Sequence, residues 1–115
     1  MDRQRLSRAH GAFNVIGGLW PLASIRSFEA VFGPKADRWL EYTVACLLIS
    51  NGAAQLLADQ DDATARRVGV GTAASLLVID LVFVPRGRIR WTYLLDAAME
   101  VGWLAAWARQ ARVRA

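Results

Sequence analysis

Four stretches of the chain are apolar and almost free of charge. Ala9 to Ile25 and Tyr42 to Ala58 each run 17 residues without a formal charge, counting His10 as neutral, and Trp39 extends the second forward. Val68 to Val84 is interrupted only by Asp80, and Trp91 to Ala108 only by Asp96 and Glu100. Such runs are too long for strands and predict helices. At 1.5 Å per residue a 17-residue helix reaches roughly 26 Å, close to a hydrocarbon core of about 30 Å. Within "YTVACLLISNGAAQLLA" the polar positions are only Thr43, Ser50, Asn51 and Gln55, too few for the polar stripe of an ordinary surface helix. The pattern therefore predicts an all-α transmembrane four-helix bundle in one domain, residues 1–115. Its spans are expected at about 9–25, 39–58, 68–84 and 91–108. The six-residue link "PRGRIR" makes the last two spans an antiparallel hairpin.

Between the first two spans, "SIRSFEAVF" sets Ile25, Phe28, Val31 and Phe32 on one face and Arg26, Ser27 and Glu29 on the other. Ser24 can cap its start and Gly33-Pro34 ends it. The expectation is a short amphipathic helix at about 24–33, lying at a membrane surface with Arg26 and Glu29 paired on its polar side.

Charge agrees with that layout. The net charge is +4, and 13 of the 14 basic residues are arginine. They fall in short clusters between the apolar runs, not on one face, which argues against nucleic acid as a partner. Lys and Arg number eight on the side of the termini and six on the other, leaning toward cytoplasmic termini on one side of a cell inner membrane. The lone Cys46 rules out an internal disulfide and reads as a small buried hydrophobe. The start "MDRQRLSRAH" carries no convincing cleavable leader.

The stretch "WPLASIRSFEAVFGPKADRWL", residues 20–40, resembles a block shared by small bacterial four-span membrane proteins of unknown function. Trp20, Arg26, Glu29, Lys35 and Asp37 are among the matching positions. The resemblance implies a fold and a location and assigns no catalytic residue.

The chemistry lies in the acids. Asp96 and Glu100 are one helical turn apart, and the hairpin can bring Asp80 to the level of Asp96. Asn51 and Asn14 are expected near the same depth, so five polar groups from four helices would line one internal column. Glu100 is expected to be protonated at neutral pH, because it is deep and has a second carboxylate beside it. The arginines on the side opposite the termini, Arg86, Arg88, Arg90 and Arg26, are expected within reach of Asp80. Tyr93 and Trp103 share a face with the acids and could wall a ligand. His10 reads as interfacial. No metal motif occurs: no Glu-x-x-His pair, no HExxH and no phosphate-binding loop, so neither metal nor cofactor is expected.

Three functions fit these residues. The first is a pocket that binds, or also transforms, a lipophilic or cationic amphiphilic small molecule. The second is an accessory subunit pairing its acids with a membrane-protein partner. The third is a small homo-oligomeric proton-coupled transporter. The acids can also serve merely as a packing network with Asn14 or Asn51.

Overall fold

The computed structural model describes residues 2–60 and 62–114, the side chains of 113 and 114 excepted. Five helices account for the fold: α1 (Arg3–Ala23), α2 (Ile25–Phe32), α3 (Arg38–Leu56), α4 (Ala63–Phe83) and α5 (Tyr93–Arg114). The starts follow local chemistry. Asp2 Oδ1 accepts from the Arg5 amide at 2.8 Å and opens α1. Asp62 does the same for Ala65 at 2.9 Å and opens α4. Ser24 Oγ accepts from the Ser27 amide at 3.3 Å, and α2 stops at Gly33, whose φ of 95° few side chains tolerate.

The expected transmembrane architecture is overturned: among the described residues no helix is long and apolar enough to cross a membrane. The physical reason is dilution. Each apolar run is short and interspersed with Gly, Ala, Ser, Asn or Gln, and the helix containing it extends into charge. Thus α1 begins with Arg3, Arg5 and Arg8, α4 begins with Arg66 and Arg67 and holds Asp80, and α5 carries Asp96, Glu100, Arg109 and Arg112. With the spans go the multi-pass inner-membrane location and the cytoplasmic sidedness of the termini. The segment expected at a membrane surface is the helix α2, but its aromatic face packs on protein. Phe28 and Phe32 lie against Trp20 with ring centroids 5.4 and 5.7 Å away, and Phe32 meets Tyr93 at 4.7 Å.

The helices meet through small residues. A Cβ on Gly11 would stand 2.6 Å from Gly52 O, one on Gly52 would stand 2.7 Å from Gly11 O, and one on Gly18 would stand 2.5 Å from Ala45 O. These contacts draw α1 and α3 together backbone to backbone. Such narrow gaps do not hold leucines. They hold Ser7, Asn14 and Gln55, while Leu47, Leu57, Val78 and Leu95 point outward. Besides Trp107, the largest fully buried side chains are His10, Gln55, Glu100, Asn14, Asp80 and Ser7. The usual partition is inverted, and an outer surface this apolar has the character of a contact surface. Cys46, expected to be buried, is exposed.

Candidate functional site

Polar residues on an apolar helix must find partners inward, and two groups of them do so differently. The first group is bonded mostly within itself, with His10 Nε2 and Gln55 Nε2 left without a partner. Ser7 Oγ donates to Gln55 O at 2.9 Å, and Asn14 Nδ2 donates to Gln55 Oε1 at 2.7 Å. Trp107 Nε1 donates to His10 Nδ1 at 3.1 Å, and the His10 ring stacks on Trp103 at 4.6 Å with 13° between planes. Burial pushes His10 down to about 4, so it is neutral here. With Nδ1 accepting, its proton is on Nε2. His10 is therefore a core residue, not an interfacial one.

The second group is the acids. Asp80 of α4 is 2% exposed and Glu100 of α5 is fully buried. Asp96 is half-buried and close enough to both carboxyl groups to act on their ionisation. Three carboxyl groups this close and this dry cannot all be charged, and desolvation supplies the reason for keeping protons among them. Burial first, then the Asp96 carboxylate, raises Asp80 to about 8 and Glu100 to about 9. No arginine relieves them. The described residues contain two ion pairs, Arg5–Asp2 and Arg38–Glu29, and neither touches the acids. The expected reach of Arg86, Arg88, Arg90 and Arg26 to Asp80 thus yields no bond. Arg90 donates instead to Ala30 O at 2.8 Å. Asp80 Oδ2 and both Glu100 oxygens have no donor from the protein, so their remaining hydrogen-bonding capacity is open.

The acids face space. A chamber of about 640 Å³ is lined by Asp80 and Asp96 together with apolar groups such as Leu40, Leu48, Leu76 and Ile79. An inner lobe of about 350 Å³ adds Phe13, Asn14, Trp20, Met99 and Glu100. Phe28, Leu48, Leu76, Tyr93 and Asp96 line both, so the two spaces adjoin along α5. Tyr93 is raised, by burial and then by Glu41, Asp80 and Asp96, and keeps its phenolic proton.

The residues of the 20–40 block form one wall and the rim. Glu29 is buried and accepts from Arg38 Nη2 at 2.8 Å, so its ionic partner is Arg38 and not the exposed Arg26. That bond holds Glu29 below its ordinary range, whereas burial and the neighbouring Glu29 push Glu41 up to about 7. Lys35 Nζ donates to Phe32 O at 3.2 Å and Gly33 O at 2.8 Å, and stands 4.9 Å from the centre of the Tyr93 ring. Trp20 Nε1 donates to Ser27 Oγ at 2.8 Å. Asp37 precedes α3 without capping it.

The expected column is therefore only partly assembled. Asp80, Asp96, Glu100, Asn14 and Tyr93 gather around the chamber. Asn51 turns away, donating to Thr72 Oγ1 at 3.2 Å beside a different cleft. Trp103 belongs to the His10 stack. Gln55, Glu41 and the rim role of Lys35 were not anticipated. Gln55 shares its charge-free run with Asn51, and nothing in the sequence distinguished the two or marked Glu41. Among the described residues, no group of His, Cys, Asp and Glu is arranged to hold a metal ion. Comparison with family models, curated proteins and solved structures returns no match.

Proposed function

We propose that the protein binds a lipophilic small molecule in the chamber between α1, α3, α4 and α5, with a polar group of that molecule held at Asp80, Asp96 and Glu100. One observation carries the reading: a largely apolar chamber of about 640 Å³ and its adjoining lobe of about 350 Å³ are lined by Asp80 and Glu100, whose carboxyl oxygens are buried yet unpartnered by the protein. Volume and lining are those of a small-molecule pocket, largely apolar with a few convergent polar groups. At neutral pH, Asp80 and Glu100 act as hydrogen-bond donors. The triad then suits a hydroxyl or carbonyl, and the Asp96 carboxyl an amine.

The test is calorimetric titration of the purified protein with a series of straight-chain alkanols of increasing length, below their solubility limits. Saturable one-to-one binding that strengthens with chain length is expected. Leu48→Trp, which fills the wall shared by both lobes, should abolish it. Wild-type protein that binds no alkanol saturably, or binding that Leu48→Trp leaves intact, would refute the pocket.

A further inference from the structure

A second cleft, of about 300 Å³, opens beside the chamber where the link after α2 meets the link between α4 and α5. Its lining is Phe32 to Lys35 on one side and Gly87 to Arg90 on the other. Three of these residues, Lys35, Arg88 and Arg90, are cationic, and none is acidic. Pro34, Lys35, Arg88 and Ile89 also line the chamber, so the cleft is its vestibule.

Two of the cations are fixed by the backbone. Lys35 Nζ is bound by the carbonyls of Phe32 and Gly33, and Arg90 Nη1 by the carbonyl of Ala30 at 2.8 Å. Gly33, with its positive φ, turns the chain so that Lys35 follows the end of α2. A Cβ there would lie 3.4 Å from Arg90 Nε, which places the two cationic groups around one short turn. Arg88 is exposed and, among the described residues, its guanidinium has no hydrogen-bond or ionic partner. The nearest acids are on the chamber side. Glu29 is paired with Arg38, Asp37 is exposed at the start of α3, and Glu41 and Glu29 act on Lys35 more strongly than Arg90 does. Lys35 thus has partial counter-charge, whereas Arg88 and Arg90 have no acid paired with them among the described residues, and an oxyanion at the cleft would gain charge-assisted bonds from them.

We propose that this cleft is an oxyanion subsite joined to the chamber, and that the ligand is an anionic amphiphile with its phosphate or carboxylate head at Lys35, Arg88 and Arg90 and its chain in the chamber. The proposal rests on the chamber being a ligand pocket and selects the charge at its mouth. An ammonium head would face three cations, whereas an anionic head is retained there and leaves an uncharged chain to run between Leu40, Leu48 and Leu76.

Four probes separate the alternatives, each titrated calorimetrically: decyl phosphate, decanol and decyltrimethylammonium, which share one chain length and are kept below micelle formation, and inorganic phosphate, which has no chain. Decyl phosphate should bind about tenfold or more tightly than decanol, a preference that shrinks as salt is added. Arg88→Gln should weaken decyl phosphate about tenfold and leave decanol unchanged. The Arg88 guanidinium has no protein partner, so its loss should not disturb folding, which a melting curve checks. Lys35→Gln should act in the same direction. If decanol binds and decyl phosphate binds no tighter, the subsite is refuted and the chamber stands. If the ammonium compound binds best, the assignment of charge is refuted. Inorganic phosphate binding as tightly as decyl phosphate would mark a free-anion site unconnected to the chamber. Failure of both decanol and decyl phosphate would remove chamber and subsite together.

Discussion

Glu100 concentrates the chemistry of the chain in one carboxyl group. It is fully buried, has no donor from the protein and is raised to about 9 by burial and by Asp96. Glu100→Gln keeps the shape and the hydrogen-bonding of the neutral acid. Its stability at pH 7 should stay within about 1 kcal/mol of wild type, and infrared difference spectra should lose one protonated-carboxyl band. An unchanged infrared spectrum would mean that Glu100 is ionised. Trp107→Phe tests the His10 contact instead. It deletes the donor to His10 Nδ1 and should cost about 1–3 kcal/mol, because a buried acceptor is left unpaired. A denaturation curve matching wild type would show that the bond adds nothing. The acids were legible in the sequence because two carboxylates at i, i+4 stand alone in an apolar run. His10 and Gln55 were not. Their burial depends on which faces α1, α3, α4 and α5 present to one another, and the spacing of polar residues along a single helix does not carry that information.

Helices were the most legible level, because long charge-free runs leave few alternatives. Their ends were less so. The helices α1 and α4 each begin several residues before their apolar runs, since Asp2 and Asp62 cap them in charged sequence that hydropathy alone reads as loop. Which glycines bring helices together was not legible in the sequence. Gly18 is at the α1–α3 contact, whereas Gly17 beside it meets nothing within 4 Å of its built Cβ. That difference makes a paired prediction. Gly11→Ala drives a methyl to 2.6 Å from Gly52 O and 2.8 Å from Leu56 N, both backbone atoms that cannot swing aside. It should cost roughly 1–3 kcal/mol or more. Gly17→Ala occupies open space inside a helix and should stabilise by up to roughly 1 kcal/mol. Thermal melts of the two variants should fall on opposite sides of wild type. Equal shifts would mean that α1 and α3 are not in backbone contact.

Across the whole molecule, the apolar pattern was read correctly as helical and wrongly as membrane-spanning. The same residues yield both readings because a run of Leu, Val and Ala records only that water-seeking groups are scarce. It does not record that the helices close on Ser7, Asn14, Gln55 and the acids while turning their large apolar side chains outward. An interior of this kind makes stability depend on pH in a direction opposite to most proteins. Asp80 and Glu100 hold protons in the folded state up to about 8 and 9, against ordinary values of 3.8 and 4.5. The folded chain therefore binds more protons than the unfolded one across that interval. The stabilisation is complete below about pH 4 and is lost as pH rises through 8 and 9. His10, lowered from 6.5 to about 4, works against this between those two values, where rising pH favours the fold. Above pH 6.5 His10 is neutral in both states and the opposition ends. From there to pH 9 each acid contributes a slope of up to about 1.4 kcal/mol per pH unit. Between pH 4.5 and 6.5 two acids outweigh one histidine, and Glu41, raised to about 7, adds to their side, so the thermal midpoint should already fall there and fall more steeply from 6.5 to about 8. The double variant Asp80→Asn, Glu100→Gln should flatten most of the fall across the whole range, because the opposing slopes of His10 and Glu41 are what remain. A wild-type midpoint that is level or rising from pH 6.5 to 9 would mean that the buried acids carry no protons, and the donor role given to them in the chamber would fail with it.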